Sequence, residues 1–331
     1  MTAEAKLVIV SPASRDANNG NWRTADRWSH FLRRRFDVEV CMVWTTAAHP
    51  PECMIALHAR RSAGALATFA EACPNHARVL VLTGTDLYRD IGADATARRS
   101  LDLATHLVVL QDAGLDALQP RHRDKCRVIF QSALALAPNA PRKRTFDVIL
   151  VGHMRAEKDP STPMRAMLQL PDDSPLRLVH IGDALSDQYA DAARALQART
   201  WSSVRRYRWL GGRAHGETRR RIARAQAMIV SSIIEGGANV IVEAVTSHVP
   251  VIASRIPGNI GMLGADYDGY FAPGDDAALA RLLDRITRDS KFLMHLRAQC
   301  EERAPLFDPN REAMEVERLV DDALSYSRSS R

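Results

Sequence analysis

Short runs of β-branched and apolar residues alternate along the chain with longer stretches whose apolar positions recur at helical spacing. In the first half the runs fall at 7–10, 38–44, 54–58, 79–83, 106–110 and 127–130, with helical segments such as 24–35 and 62–72 between them. This alternation signals parallel α/β architecture. The stretch 136–145, with Pro138, Pro141 and a basic cluster, reads as a linker. The pattern then restarts at 146–151, 176–181, 207–210, 228–231 and 251–253, and closes near Gly269-Tyr270-Phe271. The tail at 310–327 is helical in period. The expectation is an α/β protein of two doubly wound domains facing each other across a cleft. The first spans 1–140 and the second spans 145–307. A C-terminal helix within 308–331 packs back on the first domain. Ligands in such sheets bind beyond the carboxyl ends of the strands.

Composition narrows the class. The 331 residues are 46% hydrophobic and 25% charged, enough for two buried cores under a solvated surface. No run reaches the roughly 18 unbroken apolar residues of a membrane span. The opening Leu7-Val8-Ile9-Val10 has no basic n-region before it and no small-residue cleavage site after it, so no signal peptide is expected. Cys41, Cys53, Cys73, Cys126 and Cys300 are odd in number and contain no CxxC pair. Neither a disulfide framework nor a zinc site is expected, and the reading is cytoplasmic.

The net charge of +6 raises the question of nucleic acid. The cations are mostly Arg and scattered; Arg33–Arg35, Arg142–Arg144 and Arg219–Arg221 read as solvated helix faces and linker. No aromatic residues alternate with them as in a stacking platform. Neither nucleic acid nor membrane is expected as a partner; a positive field that draws in a small anion fits better, and a plain effect on solubility fits better still.

The most informative stretch is Ser231-Ser232-Ile233-Ile234-Glu235-Gly236-Gly237-Ala238-Asn239-Val240-Ile241-Val242-Glu243-Ala244, where a strand ends, a glycine loop follows and an apolar helix begins. Glycines let a ligand approach the backbone, and free N–H groups at a helix start suit phosphate. Glu243 follows Glu235 by eight residues, roughly 12 Å if all were helical, so one carboxylate can serve the sugar and the other the ribose. The plain alternative is a capped helix with two incidental glutamates. Its partner is Val151-Gly152-His153-Met154-Arg155-Ala156-Glu157-Lys158-Asp159-Pro160. Gly152 would permit a tight strand exit, and Arg155 and Lys158 can converge on a diphosphate leaving group. The alternative here is a solvated surface pair.

Glu-Gly-x6-Glu after a strand, with Gly-x2-Arg-x2-Lys near the second domain's start, resembles the retaining glycosyltransferases of the GT-B fold, built of two Rossmann-like domains. The resemblance implies a metal-independent enzyme with no cofactor, Arg155 and Lys158 on the diphosphate, and Glu243 on the ribose. It implies Glu235 and the Gly237–Asn239 backbone near sugar and phosphate, with Gly236, Ala238 and Val240 in the same binding segment. It also implies that the Leu210-Gly211-Gly212-Arg213 loop holds the base, that the first domain supplies the acceptor site and that the second supplies the donor site.

In the first domain, loops with Asn19, Gly20, Asn21 and Arg23, then His58, Arg60 and Arg61, then Thr83, Thr85 and Asp86, follow strands and are polar. A small anionic acceptor suits them better than a lipid. Asn19-Gly20-Asn21, His58-Ala59-Arg60-Arg61-Ser62, Thr83-Gly84-Thr85-Asp86-Leu87-Tyr88, Val151-Gly152-His153 and Glu235-Gly236-Gly237-Ala238-Asn239-Val240 are together similar to the selenosugar synthases of selenoneine biosynthesis, the SenB family. The likeness continues through Ser254-Arg255-Ile256-Pro257-Gly258-Asn259-Ile260-Gly261-Met262-Leu263-Gly264 and covers nearly the whole chain. It implies transfer from a UDP-sugar, typically UDP-N-acetylglucosamine, to selenophosphate, with loss of UDP and phosphate. Other readings are an ordinary transferase with a hydroxyl or thiol acceptor and Asp86 or His58 as base, a UDP-sugar epimerase, and a non-enzymatic nucleotide-sugar sensor.

Overall fold

The structure is a computed structural model that describes residues 5–14, 19–137, 145–202 and 204–329. It divides into two compact units. The first holds Met1–Ser132, Glu235–Ala238 and Asp308–Arg331; the second holds Ala133–Ile234 and Asn239–Phe307. By contacts, then, the first unit leaves the main run at Ser132 and takes in the glycine loop at 235–238. Most of the expected linker, 138–144, lies outside the described residues, as does the run Arg142–Arg144.

Each unit carries a six-stranded sheet in which every pairing is parallel. In the first unit β1 (Lys6–Val10), β2 (Asp37–Cys41), β3 (Cys53–Leu57), β4 (Ala77–Leu82), β5 (His106–Val109) and β6 (Cys126–Val128) take the order β2-β1-β3-β4-β5-β6. Its helices include α1 (Gly20–Leu32), α2 (Ala63–Ala72), α3 (Ile91–Ala93), α4 (Ala95–Leu103) and α5 (Pro120–Arg123). In the second unit β7 (Phe146–Val151), β8 (Leu176–Ile181), β9 (Arg206–Trp209), β10 (Ala227–Val230), β11 (Val251–Ser254) and β12 (Tyr270–Phe271) take the order β12-β11-β10-β7-β8-β9. Around it lie α6 (Ser161–Gln169), α7 (Asp187–Arg199), α8 (His215–Ile222), α9 (Asn239–Val245), α10 (Pro257–Leu263), α11 (Asp276–Arg288) and α12 (Ser290–Arg303). The two doubly wound α/β domains expected from the apolar pattern are present. Strands such as β3 and β10 are buried at every position, because helices cover both faces of a parallel sheet.

The last helix, α13 (Pro309–Ser329), belongs to the first unit. Val316, Leu319, Val320, Ala323 and Leu324 form its apolar stripe, and all are buried in one cluster with Leu7, Ile9, Trp28 and Leu32. Burial stabilises each large apolar side chain by about 1.5–3 kcal/mol relative to exposure. Glu312 anchors the same helix with no exposed side-chain surface. It accepts from Arg27 at 2.7 and 3.0 Å, from Trp28 Nε1 at 2.8 Å and from the Ser132 N–H at 2.7 Å. Arg35, within a run read as solvated, forks onto Asp321 at 3.0 Å on each arm.

Two local expectations are corrected. Helix α1 begins at Gly20, not near Thr24, because the Asn19 side chain accepts from the Trp22 N–H at 3.1 Å and caps it. Thr24 instead donates to the Gly20 carbonyl at 3.0 Å from inside the helix. The run 38–44 leaves the sheet at Cys41, and Met42 and Val43 are exposed beyond the end of this edge strand.

Candidate active site

In a doubly wound sheet the strand order reverses beside the first strand, and the loops leaving the two strands at that point diverge to make a crevice. In the second unit β7 has β8 on one side and β10 on the other, so the loops after β7 and β10 flank the reversal. The loop after β7 passes Gly152 and His153 and forms one tight turn at Ala156–Lys158. Asp159 then takes a left-handed conformation at φ +40°, tolerable for Asp, before α6 starts. The chain after β10 holds this loop. Ser231 Oγ reaches the carbonyls of Lys158 and Asp159 at 3.0 and 2.9 Å, and the Ile233 N–H donates to Glu157 O at 2.9 Å. The loop thus carries Lys158, half-buried, and Arg155, whose side chain is 44% exposed and 3.9 Å from Glu157.

The tight approach expected of Gly152 belongs to another glycine. A Cβ on Gly152 would meet only the Lys158 stem at ordinary contact distance, 3.6 Å and beyond. Gly182, after β8, has φ +148°, and a Cβ there would stand 1.9 Å from the Gly152 carbonyl oxygen. The loops after β7, β8 and β9 are stitched together around it. Gly182 N–H donates to Gly211 O at 3.0 Å, Gly212 N–H to Asp183 Oδ1 at 2.7 Å, and Asp183 N–H to His153 Nδ1 at 3.1 Å. Gly211, at φ +68°, uses the freedom of glycine, and its carbonyl is already engaged. Arg213 points along its own loop, 3.1 Å from Gly212 O and 3.7 Å from Glu217.

Glu243 sits in α9 with Asn239 and Val240 at that helix's start. Its carboxylate is 7% exposed and lies 2.6 Å from His215 Nε2, the first residue of α8. Buried Arg219 is held below the usual guanidinium range by burial, which the nearby Glu243 charge partly offsets. Arg219 therefore departs from the solvated-face reading of its run. The residues 235–238 are not helical, so the 12 Å estimate from an eight-residue helix does not apply between the two glutamates.

Glu235, Gly236, Gly237 and Ala238 group with the first unit, and the need for glycine there is steric. A Cβ on Gly236 would lie 2.5 Å from the Thr83 carbonyl carbon, and one on Gly237 2.6 Å from Leu110 Cβ. These glycines admit protein backbone, where the sequence suggested a ligand.

In the first unit the reversal falls at β1, between β2 and β3. Asn19, Gly20, Asn21 and Arg23 start α1 beyond β1, Asn19 acting as its cap. His58 leaves β3 with φ +74° and is 3% exposed. Its Nδ1 accepts from the Arg61 N–H at 3.3 Å and its Nε2 meets Thr85 Oγ1 at 3.1 Å. Burial lowers its pKa most. Asp86 and Asp90 push the other way, and Arg61 and Arg60 add to the lowering. Asp86 is buried, and its carboxylate accepts from the N–H groups of Ala59, Thr83 and Gly84 at 2.8, 2.9 and 2.9 Å. As a base it is thus tied up in joining two loops. Arg60 is about half exposed beside Asp90 at 3.8 Å.

The sequence reading missed His215, Gly182, Asp183 and Glu312. Among the described residues no group of three His, Cys, Asp or Glu is placed to hold a metal, and no helix is long and apolar enough to cross a membrane.

Residues 135–307 match the family model described as glycosyl transferases group 1. That is more than half the chain, and the protein belongs to this family. No curated protein matches its sequence. Its fold is similar to sucrose-phosphate synthase of Thermosynechococcus elongatus, with a TM-score of 0.78 and 16% identity over 97% of this chain and 99% of that one. It is also similar to Anabaena HepE in complex with UDP-glucose, with a TM-score of 0.74 and 16% identity over 96% and 99%. The pneumococcal O-GlcNAc transferase GtfA, in complex with UDP and GlcNAc, aligns with a TM-score of 0.67 and 16% identity over 82% of this chain and 57% of that one.

Proposed function

We propose that this glycosyltransferase moves the sugar of a UDP-sugar, N-acetylglucosamine in the first instance, onto selenophosphate in the cytoplasm. The observation that carries the donor half is the loop at the β7–β10 reversal, where Arg155 and Lys158 are presented on a turn held by Ser231 and Ile233. Two cations there suit a diphosphate, whose charge grows as the sugar leaves; they stabilise that charge without a metal ion. Similar folds with UDP, UDP-glucose or GlcNAc bound support this choice of donor. Glu243 is proposed for the ribose hydroxyls, and Glu235 with the 237–239 backbone for the sugar and phosphate.

For the acceptor, the state of the two candidate bases is informative. Asp86 is committed to three backbone N–H groups, and His58 Nδ1 already accepts one. A hydroxyl acceptor benefits from a base, whereas selenophosphate brings a selenium that is already ionised. Arg60, Arg61 and Arg23 would offset repulsion between the two anionic substrates. In the step proposed, selenium attacks the anomeric carbon, a C–Se bond forms and the C–O bond to the diphosphate breaks. UDP departs with that electron pair. Water then cleaves the Se–P bond, releasing phosphate and a 1-selenosugar.

The test is UDP release from UDP-N-acetylglucosamine with selenophosphate, thiophosphate, phosphate or no acceptor, followed by mass spectrometry, with and without a chelator. Release that requires selenophosphate, survives the chelator and yields a selenium-bearing hexosamine is expected. Release supported only by a hydroxyl compound would return the ordinary transferase reading, and product isomerised without acceptor would indicate an epimerase.

A further inference from the structure

The second unit has a cavity of about 410 Å³ at the amino end of its sheet. The volume falls in the range of small-molecule sites, about 300–1,000 Å³. Asp147 and Gly152 lie five residues apart on and just beyond β7, so this end is roughly 15 Å from the Arg155–Lys158 loop. Its polar lining is Arg177, Arg220, Arg221, Arg224, Asp147 and Glu217, over an apolar floor from β7 and β8.

Two of the four arginines have a carboxylate. Arg177 pairs with Asp147, and Arg221 meets Glu217 at 2.9 Å. Arg220 and Arg224 have no side-chain partner among the described residues. Arg177 is only 15% exposed, and its Nε is buried without a hydrogen-bond acceptor. The cavity lining therefore has an excess of two positive charges. Cations are favoured near a helix C-terminus, which accounts for one or two arginines at the end of α8. That effect does not supply a cavity.

We propose that this cavity is a second anion site, which takes a small phosphate-bearing anion of at least two negative charges. Guanidinium forks pair bidentately with phosphate oxygens, and the apolar floor would exclude water from one side of the ligand. The site is separate from the donor loop and does not rest on the reading of the transferred group.

The experiment is calorimetric titration of the full chain with inorganic pyrophosphate, a probe that the donor-loop cations can also bind. Three proteins are compared: the unaltered chain, R155A/K158A, which removes the donor-loop cations, and R220S/R224S. Pyrophosphate binding that persists in R155A/K158A and weakens at least tenfold in R220S/R224S is the expected result. R220Q alone, a mild change at an exposed position, should weaken it about threefold, which guards against a folding defect in the double variant. Binding that disappears in R155A/K158A, or is unchanged in R220S/R224S, or is absent from the unaltered chain, would overturn the proposal.

Discussion

Asp86 in the first unit and Glu243 in the second are both buried carboxylates in segments that follow strands. Asp86 is surrounded by the backbone of its own loops, with acceptor capacity directed to Ala59, Thr83 and Gly84. Glu243 meets side chains instead: His215 at 2.6 Å, itself 41% exposed, and the charge of Arg219. The first arrangement shapes the polypeptide. The second joins the carboxylate to a half-exposed imidazole instead of to backbone. The same residue chemistry in two similar folds thus gives a structural knot in one unit and a candidate ligand contact in the other.

The largest effect should come from the second unit's loop. Arg155→Ala with Lys158→Ala is expected to lower turnover by about 10²–10³-fold, the scale of losing charge stabilisation in a transition state. The thermal midpoint should change little, since Arg155 is 44% exposed and Lys158 only half-buried. Activity and stability measured on one preparation check this; unaltered turnover would remove the diphosphate assignment. Asp86→Ala should do the opposite, costing the first unit about 2–4 kcal/mol because three backbone N–H groups lose their acceptor. Urea unfolding reads this, and an active-site loss at unchanged stability would break the contrast with Glu243. Glu243→Ala should raise the UDP dissociation constant about tenfold, or roughly 1.4 kcal/mol, with less loss of stability than Asp86→Ala. Calorimetry with UDP decides it.

The smallest effect concerns two buried histidines. Burial lowers the pKa of His58 in the first unit and takes His180 in the second to about 4. A histidine whose folded pKa is depressed binds its proton more readily when unfolded, so stability is full above the unfolded value near 6.5 and falls as pH drops below it. The loss continues to about pH 4 for His180. His58→Gln and His180→Gln should each flatten the acid limb of stability against pH, His180→Gln over the wider window. Unchanged slopes would show that neither imidazole is held neutral.

The sheets were legible because parallel strands buried on both faces leave apolar runs that no surface helix shows. The start of α1 was not, because Asn18-Asn19-Gly20-Asn21 offers several caps and only folding selects Asn19. The Arg155–Lys158 loop stands at a strand end, where its spacing put it. What spacing could not supply was long-range pairing. His215 lies 28 residues from Glu243, and Arg27 lies 285 from Glu312. The lone Gly182 carries no local sign that another segment's carbonyl will occupy its Cβ position.

Helix α13 also has a consequence for synthesis. The core around β1, β3 and α1 is completed by Val316, Leu319 and Leu324, which are made long after those three elements. After Ser132, all of 133–307 must be translated first, which at about 5–20 residues per second takes roughly 10–35 s. For that interval the nascent first unit presents an uncovered apolar face, while the second can complete its own sheet before α13 is made. The amino-terminal half is therefore the later of the two to fold, and the one a chaperone has reason to hold.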